Sequence, residues 1–140
     1  MTNTVVIGIG SYYGRDNIAF EVLNRLQKQL SSQADIVFFT SNAPQEILVL
    51  IEQHKNQNIK NLIILDALDP AQAVSEITLL TLDKLQNTRT ALSDHYVSLY
   101  EVLKMLQILY FPGLNIKIVG LSSTITPQSI TQLKEIILGV

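Results

Sequence analysis

Four polar side chains in this sequence have the chemistry to bind a metal ion or to move a proton. They are Asp16, Asn17, Asp66 and His95. Carboxylate and amide oxygens and an imidazole nitrogen all bind divalent ions, and carboxylates and histidines also serve as acid–base groups. Because the chain contains no cysteine, thiolate ligation, disulfide bonding and thiol catalysis are excluded.

Apolar runs of strand length alternate along the chain with apolar residues at helical spacing. This alternation predicts an α/β fold: a three-layer αβα sandwich in which a mostly parallel sheet of about five strands carries helices on both faces. We expect one domain over residues 1–140. The predicted strands are Val5–Ile9, Asp35–Phe39, Asn61–Leu65, an edge strand over Glu76–Leu82, and Ile116–Gly120.

Helix-start signals complete the predicted fold. Asp16 and Asn17 stand where the first helix should begin, and Pro44 opens the second. Ser98 and Glu101 fit a capping box, which predicts that a helix begins behind Ser98. Thr126 and Pro127 open the last helix.

The predicted sheet places the four polar residues at one edge. Ligands of open α/β sheets bind beyond the carboxyl ends of the strands. Asp66 directly follows an apolar strand, Asp16 and Asn17 follow the loop behind the first strand, and His95 precedes a helix. A structural alternative stays open for each: Asp16 or Asn17 caps a helix, Asp66 belongs to a loop or cap, and His95 is a hydrogen-bonded loop histidine.

Three other site classes find little support in the sequence. Gly8, Gly10 and Gly14 approach a dinucleotide fingerprint, but the spacing is one residue off and the second strand ends without an acid, which disfavours nucleotide binding. Neither Gly-x-Ser-x-Gly nor His-Glu-x-x-His occurs, so a serine-hydrolase elbow and a zincin helix are unsupported.

Composition limits the classes of partner that we expect the protein to bind. The chain is 47% hydrophobic and 16% charged, as expected of a globular protein. Its formal net charge is -2 and no basic run stands out, so nucleic acid is not an expected partner. No signal peptide is visible, and the apolar runs are shorter than the roughly 20 residues that span a bilayer. We therefore expect a cytoplasmic protein without membrane insertion.

Three segments, taken together, resemble the hydrogenase maturation protease family. The family's Gly-x-Gly-Asn strand end with its following acidic pair is similar to Gly8–Asn17, although Ser11 replaces the asparagine. Its apolar strand ending in Asp-Ala is matched by Leu62–Ala67. Its Ser-x-His before a leucine-rich helix is matched by Ser93–His95 and the residues from Ser98 onward. The resemblance runs from about Val5 to the C-terminus.

The resemblance implies an endopeptidase that removes the C-terminal extension of the large-subunit precursor of nickel–iron hydrogenase after nickel insertion. Nickel, presented by the precursor, would be recognised by Asn17, Asp66 and His95, and no nucleotide cofactor is expected. Asp16 and Asp66 are the implied catalytic carboxylates, with Asp16 the candidate base. The family has a carboxylate where Asn17 stands, which motivates an alternative: a non-catalytic divergent relative that binds a precursor or a metal.

Overall fold

The computed structural model describes residues 3–10, 17–68, 74–87 and 96–139. Strands and helices alternate over most of this length, as the periodicity predicts. In chain order the elements are β1 (Thr4–Ile9), α1 (Asn17–Gln29), β2 (Ile36–Ser41), α2 (Gln45–Glu52), β3 (Asn61–Ala67), β4 (Ile77–Leu80), α3 (Leu82–Asn87), α4 (Tyr96–Leu109), β5 (Asn115–Leu121) and α5 (Pro127–Leu138).

The described residues form one sheet of five strands in the order β2-β1-β3-β5-β4. Four strands run parallel, and β4 alone among them runs antiparallel, at the edge beside β5. The central strands consist largely of Val, Ile and Leu, and every residue of β1 is buried. Such continuous apolar runs are typical of strands that are covered on both faces. The predicted fold class is confirmed. The predicted edge strand over Glu76–Leu82 is confirmed for Ile77–Leu80, whereas Leu82 begins α3.

Successive side chains along each strand point to opposite faces of the sheet and pack in two separate hydrophobic cores. On one face, Val5, Ile7, Leu62 and Ile64 pack with residues of α2 and α4. On the other face, Val6, Ile63, Leu65 and Val119 pack with residues of α1 and α5. The sheet is therefore the middle layer of the predicted three-layer sandwich. We name the two faces after their helices: the α2/α4 face and the α1/α5 face.

Two local predictions differ from the structure. Helix α4 begins at Tyr96, so Ser98 lies inside the helix and the predicted capping box is wrong. Serine and glutamate three residues apart also share one side of a helix interior, so their spacing alone does not mark a start. The short helix α3 was not predicted, because six residues are too few to show a periodicity. Its first turn is supported by the Thr81 hydroxyl, which accepts a hydrogen bond from the Lys84 amide at 3.3 Å.

The last helix begins as predicted. Thr126 has extended backbone angles, its side chain accepts a hydrogen bond from the Ser129 amide, and Pro127 occupies the first turn. The helix ends at Gly139, whose φ of 78° is readily adopted only by a residue without a side chain. None of the helices within the described ranges is long and apolar enough to cross a membrane.

Candidate active site at the carboxyl end of the sheet

Asp66 is a fully buried carboxylate near the end of the central strand β3. Its exposed fraction is 0%, and its Oδ1 accepts a hydrogen bond of 2.8 Å from the Ala67 amide. A carboxylate is costly to bury, so a sequence that retains one in this place requires hydrogen-bonding or charged partners for it. Asp66 is therefore the strongest candidate for a functional group among the described residues.

The alternation of side chains assigns Asp66 to the α2/α4 face. Leu62 and Ile64 precede it at intervals of two residues and belong to the core on that face. Helix α4 leads into β5, which starts at the amino end of the sheet, so α4 begins near the carboxyl end. Tyr96, the first residue of α4, follows His95 in the sequence. His95 itself lies outside the described residues.

Asn17 is the first residue of α1, which packs on the opposite face of the sheet. The helix follows β1, so its first turn lies at the carboxyl end, as Asp66 does. The side-chain amide of Asn17 donates a hydrogen bond of 3.3 Å from Nδ2 to Glu21 Oε1, one helical turn further along. Asp16 lies outside the described residues. The structure thus places Asn17 and Asp66 at one end of the sheet, and a shared site that includes Asp16 and His95 stays a prediction.

Gly8 has a packing role. A Cβ atom built on Gly8 would stand 3.1 Å from the Ala19 carbonyl oxygen and 3.5 Å from the Leu23 Cβ. Contacts this close to backbone mean that α1 packs directly against β1 at Gly8, where any side chain would push the helix away. This close approach sets how near the first turn of α1 comes to the strand ends.

Thr78 is a residue of this region that the sequence analysis missed. In the sheet register, Asp66 pairs with Gly120 of β5, and Gly120 pairs with Thr78 of β4. We call these three residues the cross-strand row. Leu80 lies two residues after Thr78 and belongs to the core of the α2/α4 face, so Thr78 faces the same side as Asp66. Its Oγ1 is buried and hydrogen-bonds to no group within the part of the chain that the structure describes.

Glu76 holds the start of α5 against the start of β4. Its Oε1 accepts hydrogen bonds from the Ser129 hydroxyl at 2.6 Å, the Thr126 amide at 2.8 Å and the Thr126 hydroxyl at 2.9 Å. These bonds, the one from Ser129 first, favour the charged form and hold the pKa of the Glu76 carboxyl below its ordinary value of 4.5. Backbone pairing adds a bond of 2.9 Å from the Ser122 amide to the Glu76 carbonyl.

Arg25 of α1 binds the same peptide group from the other side. Its Nη1 donates a hydrogen bond of 3.1 Å to the Ile125 carbonyl oxygen, and the amide of that peptide group is the Thr126 N–H that Glu76 accepts. The turn between β5 and α5 is thereby fixed by two side chains of opposite charge. Since Leu68 also donates a 2.7 Å bond to the Leu121 carbonyl, the end of β3 is tied to the same turn.

The described residues contain no ready-formed metal-binding site made of carboxylates and histidines. No group of three or more His, Cys, Asp or Glu side chains is close enough there to hold a metal ion. Of the predicted ligands, Asn17 and Asp66 fall within those ranges and His95 does not. The trio therefore remains a prediction that rests on the resemblance.

The sequence model of the family described as HycI: Hydrogenase maturation protease matches residues 20–139. The chain belongs to the hydrogenase maturation protease family. The matched range contains Asp66 and His95, whereas Asp16 and Asn17 precede it. Among curated protein sequences, none matches the chain.

Solved structures of hydrogenase maturation proteases share this fold. The [NiFe] hydrogenase maturation protease HycI from Thermococcus kodakarensis is 22% identical, with a TM-score of 0.69 over 99% of this chain and 91% of that one. The endopeptidase HycI from Escherichia coli is 15% identical, with a TM-score of 0.66 over 99% and 90%. Pyroglutamyl peptidase I from Bacillus amyloliquefaciens is also similar, at 12% identity and a TM-score of 0.53 over 96% and 86%.

Proposed function

We propose that this chain is an active endopeptidase that removes the C-terminal extension of a nickel–iron hydrogenase large-subunit precursor once nickel has been inserted. The observation that carries the proposal is the buried Asp66 carboxylate at the carboxyl end of the sheet, on the face that α4 covers. Membership of the maturation protease family supports this reaction class. Buried carboxylates at the strand ends of α/β sheets are candidates for ligand binding and catalysis.

In this proposal the metal arrives as part of the substrate. Asp66 and His95 would complete the coordination of the nickel that the precursor presents, because carboxylate and imidazole are suitable nickel ligands. Asn17 would contribute an amide oxygen, which is a neutral and weaker donor than the family's carboxylate. Recognition of the metal would thus restrict cutting to a precursor that has already been loaded.

The cleavage step is a hydrolysis. Asp16, as general base, would accept a proton from the attacking water while the oxygen bonds to the scissile carbonyl carbon. The C–N bond then breaks, the amine of the released extension takes up a proton, and the mature subunit keeps the new carboxylate. The precursor's nickel could lower the barrier by polarising the carbonyl.

The decisive experiment is incubation of the purified protein with a nickel-loaded large-subunit precursor, followed by mass spectrometry of the precursor's C-terminus. We expect loss of the C-terminal extension from the loaded precursor and none from the nickel-free precursor. His95→Ala should abolish cutting while its melting temperature stays at the wild-type value. A His95→Ala variant that unfolds more readily but keeps its activity per folded molecule would show that His95 is structural.

A second function is favoured by one observation. Asn17 replaces the family's carboxylate, and its amide is hydrogen-bonded to Glu21, so this chain could bind the loaded precursor without cutting it. Binding without any change in the precursor's mass would identify this non-catalytic role.

Asn17→Glu tests whether position 17 faces the metal. A glutamate adds a second anionic donor to that of Asp66, so we expect tighter binding of nickel or zinc in calorimetric titrations at matched pH. It would also face Glu21 at four residues' distance, which costs about 0.2–0.5 kcal/mol of helix stability. Equal or weaker metal affinity in Asn17→Glu would mean that position 17 does not contact the metal, and Asp16→Asn would then be the next variant to titrate.

A further inference from the structure

Helix α4 is apolar on the side that faces solvent as well as on the side that faces the sheet. Its inner side supplies leucines and a valine to the core of the α2/α4 face. On its outer side, Met105 is 44% exposed, Ile108 67% and Leu109 62%. A surface helix of a monomer normally has a polar outer side, whereas a helix that is apolar on all sides is normally covered on all sides. The outer side of α4 is therefore a candidate interface.

The exposed apolar residues of α4 line a shallow groove together with two charged residues. We call the residues that line this groove the outer stripe: Tyr100, Glu101, Lys104, Met105, Ile108 and Leu109. Glu101 and Lys104 are exposed and of opposite charge, so the outer stripe has no formal net charge. A strongly charged partner would bring a like charge against one of them. The best electrostatic match is a surface that also carries one acid and one base, and the protein's own outer stripe is such a surface.

The outer stripe is arranged with two-fold symmetry about the middle of α4. The midpoint of the helix, which spans Tyr96–Leu109, lies halfway between Glu101 and Lys104. It also lies halfway between Tyr100 and Met105. Each residue turns the helix by about 100°, so the two pairs also share one bisecting direction on the helix surface. A two-fold axis along this direction therefore exchanges the members of both pairs.

We propose that the protein forms a two-fold symmetric homodimer in which α4 packs antiparallel against α4 of a second copy. In this arrangement Glu101 of each copy faces Lys104 of the other, which gives two ion pairs. Tyr100 of each copy faces Met105 of the other, and sulfur–aromatic contacts of this kind are favourable. Ile108 points close to the direction of the axis, and the first turn of the other helix covers it. The dimer thereby removes apolar side chains of both copies from water.

The length of α4 sets the expected strength of the dimer. A helix of 14 residues is about 21 Å long. A contact between two helices of this length is smaller than a standard protein interface, which buries about 800 Å² on each partner. We therefore expect a weak dimer that forms at micromolar concentrations of the protein and dissociates on dilution.

Sedimentation equilibrium of the purified chain tests the dimer without any precursor, so the result does not depend on the proposed function. We expect the average mass to rise from that of one chain towards that of two chains as the concentration increases. Ile108→Lys should keep the mass of one chain over the same range, because the dimer would bury its charge. Leu138→Lys is the matched control and should dimerise like wild type, since Leu138 is an exposed residue of α5 on the other face of the sheet.

Charge reversal tests the antiparallel register. Glu101→Lys alone places two bases opposite each other at both ion pairs, and Lys104→Glu alone places two acids there. Each variant should therefore have a dissociation constant about tenfold higher than that of wild type. An equimolar mixture of the two variants should dimerise like wild type, because both ion pairs form again with their charges exchanged. Glu135→Lys makes the same change of net charge on an exposed position of α5 and should have no effect.

Melting temperatures in dilute solution verify that each variant is folded. A wild-type mass of one chain at every concentration would overturn the homodimer, as would a dimer that Ile108→Lys leaves intact. A mixture of the two charge-reversal variants that stays monomeric would overturn the antiparallel register. If wild type is monomeric and Ile108→Lys weakens binding of the nickel-loaded precursor, the outer stripe binds the precursor instead, which refutes the homodimer while the proposed function stands.

Discussion

The polar side chains at the two ends of the sheet differ in their hydrogen-bonding partners. At the amino end, an amide ladder crosses three parallel strands: Asn115 donates to Asn61 at 3.3 Å, Asn61 donates to Thr4 at 3.5 Å, and the Thr4 hydroxyl donates to Asn3 at 2.9 Å. Main-chain bonds reinforce it, since the Lys60 and Asn61 amides both donate to the Asn3 carbonyl, at 2.8 and 3.1 Å. Here the chain's own groups satisfy one another.

At the carboxyl end the corresponding groups are a fully buried carboxylate, Asp66, and a buried hydroxyl, Thr78, that finds no partner in the described ranges. Polar groups that are hydrogen-bonded to one another contribute to stability, whereas buried ionisable groups near strand ends are typical of functional sites. The comparison leads to the hypothesis that the polar groups of the amino end serve stability and those of the carboxyl end serve substrate binding. Substitutions at the two ends should separate these effects.

The largest expected effect is on activity, at the carboxyl end. Asp66→Asn keeps the shape of the side chain and removes its charge, so cleavage of the loaded precursor should fall by about a hundredfold or more. Activity is compared per folded molecule, because Asp66 accepts a hydrogen bond in the core and its replacement should lower the melting temperature. Asp35→Asn, at the amino end beside the ladder, is the control and should cleave at the wild-type rate. Equal losses in the two variants would contradict the assignment of functions to the two ends.

The next effect is on stability, at the amino end. Asn61→Ala removes the amide that links Thr4 and Asn115, and the free energy of unfolding should fall by about 1–2 kcal/mol in urea titrations. Its kcat/KM per folded molecule should equal that of wild type. Asn58→Ala, in the exposed stretch before β3, is the control with no expected change. A reduced kcat/KM in Asn61→Ala would mean that the ladder also shapes the site.

The smallest expected effect is on stability, and it appears only at acidic pH. Because hydrogen bonds lower the pKa of Glu76 in the folded protein, its contribution to stability is present above its ordinary pKa of 4.5 and is lost as the pH falls below that value. The side chain at position 76 has no titratable carboxyl group in Glu76→Gln. Its melting temperature should therefore fall less steeply than that of wild type between about pH 4.5 and pH 3. The exposed Glu135→Gln should keep the wild-type slope, and parallel curves for wild type and Glu76→Gln would contradict the prediction.

The sequence was sufficient for the fold because its signals are local. The run Leu62–Leu65 consists of apolar residues, and Ile116, Ile118 and Val119 are β-branched; such residues form strands when both faces are covered. The beginning of α4 was misplaced, since a capping motif of two residues also occurs by chance inside a helix. Helix boundaries depend on tertiary contacts that a short motif does not encode.

The candidate site could be predicted only in part. Asp66 was found because a charge directly after four apolar residues is conspicuous in the sequence itself. Thr78 was missed because a threonine in a strand is ordinary. Its place in one row with Asp66 depends on the register of β3, β5 and β4, which pairs residues that are far apart along the chain. Neither the strand propensity of the residues nor the hydrophobic periodicity of the sequence specifies that register.

The Ile125–Thr126 peptide group joins distant parts of the chain. Arg25 binds its carbonyl from α1, and Glu76 binds its amide from the start of β4. Helix α5 therefore cannot leave the sheet without breaking bonds to both elements at once. The C-terminal helix should open together with the body of the molecule, in one cooperative unit, and its amide hydrogens should exchange with solvent nearly as slowly as those of the central strands.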